Sequence, residues 1–320
     1  MNEKGVQLRW LGASSVEIEG PDGLIAIDPH ISAAGCGGDA VCVTREDHDH
    51  CDPAVLRRFA SGEKAPLFVV PKSCTLMHVL DAPVAEPEAD LSFVPKENLV
   101  VLHPRYARSP KAGVETAVEV GGFRLEATQS SDREPASILD RWQRYRAPGW
   151  RGWPSHDGAF VGLGELGPQG YLVTHVGSGA TVYHPGDLQE VFDFHHDHLR
   201  GRVDLMLLPV GPLAGVELSI VEAVRPRAVV PIHYRPQGEA GPNVDPAEYS
   251  AVDLDNGYPT PEADPDDYRA QIRKLIDLRW YPSPKQPTER IAGLRGSLEE
   301  LGAELVAPVV DEAIPVAPAA

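Results

Sequence analysis

The stretch VCVTREDHDHCDP, Val41 to Pro53, decides how this chain is read. It begins as an apolar run of strand type and ends in Asp-Pro, where Asp52 can cap a helix and Pro53 fits its first turn. Between these ends lie two histidines, three aspartates, a glutamate, an arginine and a cysteine. Imidazole and carboxylate are the ligands that Zn²⁺, Fe²⁺ and Mn²⁺ accept, and ligands gathered from strand ends are how a sheet builds an open metal site.

Working outward, three more apolar runs end in the same chemistry. LIAIDPH carries Asp28 and His30, VYHPGDL carries His184 and Asp187, and VVPIHYRP carries His233. A single His or Asp at such a place is usually a turn former. Four in one chain, each at the end of a strand, call for a common explanation.

The runs VQLRWLG, SSVEIEG, LIAIDP and AVCVT are strand-like and separated by Gly, Pro and Asp turns. DPAVLRRFASG reads as a short helix closed by Gly62, PLFVVP as a buried strand and SCTLMHVL as a helix. NLVVLHP, ETAVEVGGFRLEATQ, GAFVGLGE, GYLVTH and ATVYHPGD continue the strands, with a hairpin signal at Gly121-Gly122. A helix over residues 218–224 precedes the strand RAVVPIHY. Strands first, then strands alternating with helices, predict an α/β fold of two packed sheets with helices outside. No repeat of 20 to 50 residues is visible. Residues 130–157 form a Trp- and Arg-rich insertion and residues 236–286 a Pro/Asp-rich segment, each suited to a lid or an interface; a helix is expected near PDDYRAQIRKLIDLRW. The tail PVVDEAIPVAPAA is expected to fray at its end.

The chain has 320 residues, 42% of them hydrophobic, enough for a proper core. Its formal charge of -18 disfavours phosphate backbones, so no nucleic-acid partner is expected. No apolar run is long enough to span a bilayer and no signal peptide is visible, so the expectation is a cytoplasmic protein with no membrane partner. Cys36, Cys42, Cys51 and Cys74 show no CxxC pairing and read as free thiols. Cys51 reads as a buried small residue rather than a nucleophile. The run His195, His196 and His198 reads as a surface cluster.

Taken in order, WLGASSVEIEGPDGLIAIDP, then VT-x-x-x-x-D-H-x-D-P, then VYHPGD and VVPIHY resemble the metallo-β-lactamase superfamily over about residues 5–235, in particular its ascorbate-6-phosphate lactonase-like branch. The resemblance implies an αββα sandwich in a single domain over residues 1–320. It also implies a strand-end motif His-x-His-x-Asp-His directly after a Thr. Anchored on Thr44, its four ligand positions fall on Arg45, Asp47, Asp49 and His50, and only the last two match. Asp187 matches the bridging aspartate and His233 the last histidine. The remaining histidine should follow FRLEAT, where Gln129 and Ser130 stand.

The losses therefore sort by site. Every histidine of one metal is replaced, while Asp49, His50, Asp187 and His233 keep the ligands of the other. The resemblance thus implies a metal-dependent hydrolase of a small, anionic ester, lactone, amide or phosphoester, with one divalent ion, zinc first and iron or manganese as alternatives. Arg45, always cationic and unable to ligate, would stand near the vacated position as fixed positive charge, with Asp47 beside it. Asp49 or Asp187 would orient or deprotonate a water. A rival register, slid by three residues, places His48, His50 and Asp52 in the motif and makes His48 a ligand. His156 and Asp157, ending the insertion, are candidate substrate contacts together with Arg45. Homo-oligomers are common in the family, though no interface pattern is visible. Two other readings stay open: mononuclear-iron redox or rearrangement chemistry, and a non-catalytic binding or scaffold protein that kept the fold.

Overall fold

In a computed structural model, residues 5–29, 37–45, 50–51, 53–62, 64–75, 91, 93–104, 115–130, 153–154, 160–161, 168–186, 188, 196–210, 217–233 and 285–318 are described. In chain order the strands are β1 Val6–Gly12, β2 Ser15–Gly20, β3 Gly23–Ile27 and β4 Ala40–Cys42, followed by helix α1 Pro53–Ala60. Then come β5 Leu67–Val70, β6 Leu99–Val101, β7 Ala117–Val120, β8 Phe123–Gln129, β9 Trp153–Pro154, β10 Phe160–Val161, β11 Gln169–His175, β12 Thr181–His184 and β13 Leu205–Pro209. Helix α2 Glu217–Val224, β14 Ala228–Ile232, helix α3 Lys285–Glu300, β15 Glu304–Leu305 and β16 Ala313–Val316 complete the series.

Two seven-stranded sheets carry the fold, ordered β16-β1-β2-β3-β4-β5-β6 and β15-β14-β13-β12-β11-β8-β7. Each is half antiparallel meander and half parallel: β1, β2 and β3 run antiparallel and β3 to β6 parallel. In the second sheet β7, β8, β11 and β12 are antiparallel, and β12 to β15 parallel. The parallel halves aim several strand C-termini at the same edge, which is where α/β sheets place ligands.

Period-two patterning sets the layers. In β3 and β4 one face, with Ile25, Ile27, Ala40 and Cys42, enters a core shared with Leu125, Tyr171 and Val230 of the second sheet. The opposite face, with Ala26 and Val41, packs under Val55, Leu56 and Phe59 of α1. On the far side Leu172, Met206 and Val229 meet Ile220, Val221 and Val224 of α2 and Leu298 of α3. Helix, sheet, sheet and helix thus form the expected αββα sandwich. Gly121 and Gly122, both at positive φ (54° and 73°), make the two-residue turn that pairs Val120 with Phe123, the hairpin the sequence predicts.

One expectation changes, and one strand is added to those the sequence shows. Within the tail, Ala313–Val316 lies antiparallel on β1, pairing Val6 with Val316, because β1 would otherwise present an open edge; the last two residues lie outside the described residues. His196 is no surface residue. It is fully buried with its ring edge-on to Tyr183, centroids 6.4 Å apart, as the residue before a short 3-10 turn whose Leu199 is also buried. Of SCTLMHVL, only the first residues are described, within a 3-10 turn over Lys72–Thr75. The helix near PDDYRAQIRKLIDLRW lies outside the described residues. Of the 130–157 insertion, Trp153–Pro154 is seen, paired antiparallel with Phe160–Val161.

Candidate metal centre

The parallel halves of the two sheets end around one buried polar group. Asp28 follows β3, Thr44 lies two residues past β4, His50 precedes α1, His184 closes β12 and His233 follows β14. Their exposures are 0%, 0%, 1%, 0% and 3%, so burial itself demands hydrogen bonds.

Asp28 organises them. Its Oδ1 accepts from the Thr44 amide at 2.7 Å, and its Oδ2 accepts from Thr44 Oγ1 at 2.6 Å and faces His50 Nδ1 at 2.7 Å. Thr44 commits its single hydroxyl proton to Asp28, so toward His50 Nδ1, 3.1 Å away, Oγ1 can only accept. Both neighbours therefore require the proton of His50 on Nδ1. Its Nε2, on the far edge of the ring, keeps its lone pair. A carboxylate behind an imidazole, fixing tautomer and ring orientation, is the usual support of a metal-binding histidine.

His184 is held the opposite way. Its Nε2 donates to the Ser14 carbonyl at 3.1 Å, and its Nδ1 accepts from the Gly186 amide at 3.1 Å. Both ring nitrogens are spent on the backbone, so His184 braces the site and cannot serve as a ligand. Burial first, and the neighbouring His50 and His233 rings after it, hold its pKa below the usual histidine range, despite Asp28 Oδ2 at 3.9 Å.

His233 supplies the second imidazole. Its ring stacks on that of His50 with centroids 5.3 Å apart and planes inclined by 21°. Its backbone lies at φ 65°, anchored by its amide to Ala13 O at 2.7 Å, and Asp28 is likewise left-handed at φ 46°, its amide on Cys42 O at 2.9 Å. Non-glycine residues rarely adopt this conformation, and when the surroundings enforce it the reason is often functional. Two such residues meet in one site here.

The other wall is also polar. The Gln169 amide binds Thr44 O at 2.8 Å, tying the second sheet to the residue before Arg45. Tyr171, fully buried, donates to Val43 O (2.8 Å) and Val69 O (3.0 Å) and accepts from Gln169 Nε2; burial raises its pKa well above the ordinary tyrosine value. Gln129 ends β8 opposite Gln169, and Ser130 follows it. Gly186, at φ 72°, permits the close turn after His184: a Cβ there would lie 2.7 Å from Gln169 O.

His50 and His233 are thus brought together, with Arg45 one residue beyond Thr44. Asp47, His48, Asp49, Asp187, His156 and Asp157 lie outside the described residues. So do His30 and His195. Among the described residues alone, no three His, Cys, Asp or Glu side chains gather as a metal-binding group. Cys42, Cys51 and Cys74 are buried free thiols, Cys51 packing beneath α1 as expected. Sequence reading gave Asp28 no role beyond a strand-end candidate and missed Gln169 and Tyr171. The available signal for the latter two was a polar residue opening an otherwise apolar buried strand, QGYLVTH.

The family of the beta-lactamase superfamily domain matches residues 7–233, and this chain belongs to it. A UPF0173 metal-dependent hydrolase of Archaeoglobus fulgidus is 29% identical over 117 residues, a match covering 35% of this chain and 40% of that relative. The matched region thus spans less than half of that protein's length. Among solved structures, a possible metal-dependent hydrolase from Veillonella parvula aligns at TM-score 0.50 and 12% identity, over 98% of this chain and 100% of its own. CmlA, a diiron β-hydroxylase from Streptomyces venezuelae, aligns at TM-score 0.51 and 12% identity, over 99% of this chain and 55% of its own. At such identities these structures bear on the fold alone. No helix among the described residues is long and apolar enough to cross a membrane.

Proposed function

We propose that this site holds one divalent metal on Asp49, His50, Asp187 and His233 and hydrolyses a small anionic ester, lactone, amide or phosphoester. The observation that carries the reading is the Asp28–His50–His233 arrangement. One imidazole is fixed in the ligating tautomer by a buried carboxylate at 2.7 Å, and the second is stacked on it at 5.3 Å. Two imidazoles completed by carboxylates are a donor set that zinc, iron and manganese all accept. When bound, such an ion supplies a water of lowered pKa and polarises the scissile bond.

The chain's own residues do the rest. Asp28 holds the proton of His50 on Nδ1. The loop from Arg45 starts from a residue locked on both sides, by Asp28 from its own sheet and by Gln169 from the other. Asp49 orients the attacking water or takes its proton. Arg45 offers a permanent cation to an anionic substrate group and to the charge that develops on it, where dinuclear family members carry a second ion. The Thr44 register is supported by β4 ending at Cys42, before the polar TRED, whereas the register that makes His48 a ligand needs that strand to run on. Asp47, His156 and Asp157 complete the proposed substrate side. The substrate is a small molecule; nucleic acid is not a proposed partner.

The competing iron-based redox or rearrangement reading uses the same ligands, and a diiron hydroxylase shares the fold. The test is a panel of lactones, esters, amides and phosphoesters assayed with the zinc, manganese and iron forms in air and under argon. Turnover that is independent of dioxygen and abolished by His233→Ala is expected. Dioxygen-dependent turnover by the iron form alone, or no turnover of any panel member, counts against the hydrolase.

A further inference from the structure

We infer that the amide oxygens of Gln129 and Gln169 form a subsite that recognises an N–H or O–H donor on the ligand. The inference rests on the proposal above that the site beside Thr44 receives the substrate. Gln129 and Gln169 are register partners on adjacent antiparallel strands, β8 and β11. Their side chains therefore leave the same face, with Cβ atoms about 4.5–5.5 Å apart. It is the inner face, because Tyr171, two residues along from Gln169, and Ala127, two before Gln129, lie in the core between the sheets.

The orientation of each amide is dictated by a partner with no alternative. The Tyr171 hydroxyl gives its proton to the carbonyls of Val43 and Val69, so its oxygen is left to accept from Gln169 Nε2. The Ser130 carbonyl can only accept, and takes Gln129 Nε2 at 2.9 Å. Both amides consequently turn their oxygens the other way. Gln129 Oε1 and Gln169 Oε1 are buried and, among the described residues, have no hydrogen-bond partner. Buried acceptors are normally satisfied, and two unsatisfied ones on neighbouring register positions mark a place where something else brings the donor.

The pair lies beside Thr44, the residue before Arg45. Gln169 holds Thr44 O through its own amide. Ser130 Oγ, also buried and without a hydrogen-bond partner among the described residues, lies 3.4 Å from where a Cβ on Gly186 would stand. Amide oxygens repel a carboxylate or phosphate and welcome a proton donor, so this wall complements Arg45. One side reads an anion and the other reads an amide N–H or a hydroxyl. A site built on such acceptors rejects an analogue that lacks the donor, because its own polar groups are then left unpaired.

The experiment titrates the full-length, metal-analysed protein with N-methylacetamide and N,N-dimethylacetamide, which differ in one N–H. Side-chain amide resonances of Gln129 and Gln169 are followed by NMR, in the wild type, Gln129→Met and Gln129→Glu. N-methylacetamide is expected to shift both signals saturably and to bind at least ten times more tightly than the dimethyl compound. That preference should collapse in Gln129→Met and persist in Gln129→Glu, which keeps an acceptor. Equal binding of the two amides, saturation by neither, or a preference that survives Gln129→Met overturns the subsite; the wild-type comparison decides even if Gln129→Met does not fold. Metal content separates the two proposals. A metal-free protein that discriminates the amides sinks the mononuclear reading alone, and a metal-loaded one that does not discriminate sinks the subsite alone.

Discussion

Replacing Asp28 by Asn exchanges one oxygen for an NH₂ group and reverses a tautomer. The asparagine carbonyl can still accept from the Thr44 amide, but its NH₂ then faces Thr44 Oγ1 and His50 Nδ1, which lie 2.6 Å and 2.7 Å from Asp28 Oδ2. Opposite a donor, His50 must accept at Nδ1 and carry its proton on Nε2, the nitrogen needed for the metal. Loss of such a supporting carboxylate typically costs 10–100-fold in metal affinity, or about 1.4–2.7 kcal/mol. The fold loses charge-assisted hydrogen bonds as well, each worth about 1.5–3 kcal/mol, so the variant is also expected to unfold at lower urea. Affinity is read by competition with a chromophoric zinc chelator, at a temperature where circular dichroism shows the variant folded. A folded Asp28→Asn protein that binds zinc as tightly as the wild type would refute the role given to Asp28.

Other outcomes follow from the same geometry. His184→Gln should lower stability, because a buried brace between Ser14 O and Gly186 N is lost, yet leave zinc affinity far closer to wild type than Asp28→Asn does in the same competition assay. Gly186→Ala should destabilise by about 1–3 kcal/mol in urea titration, since φ is 72° and the new Cβ meets Gln169 O at 2.7 Å. Tyr171→Phe takes the hydroxyl from Val43 O and Gln169 Nε2, while Val69 O keeps the Val43 amide at 2.9 Å, and should cost about 1–3 kcal/mol by the same titration. The Asp39 carboxyl is held below its usual pKa, mainly by its hydrogen bond from Lys64, so its contribution is present above the unfolded pKa and lost as pH falls through the folded one. Asp39→Asn should therefore cost up to about 1 kcal/mol at pH 7 and nothing once both states are protonated.

Much of the layer structure was legible because burial imposes period two on strands such as Ile25 to Ile27, and Gly121-Gly122 has a single natural turn. The strand Ala313–Val316 was not legible because Pro and Ala obscure it and its stability comes from β1, more than 290 residues earlier in the chain. His196 was misjudged because a histidine run looks solvated until the packing of Tyr183 is known. In the site, His50 and His233 could be named from motif positions, but the difference between His50, held by a carboxylate, and His184, held by the backbone, was not readable. Both are histidines beside Asp28, and the hydrogen bonds at each ring nitrogen separate them. The facing Gln129 and Gln169 depend on the register of β8 against β11, which sequence periodicity alone does not set.

The most direct test of a one-metal centre is the metal content of the purified protein, measured by plasma mass spectrometry after reloading with zinc and removal of excess ion. One equivalent per chain, reduced to none in a folded His50→Ala or His233→Ala variant, is the result the proposed centre predicts. Two equivalents in the wild type, or one equivalent that survives both substitutions, would contradict it.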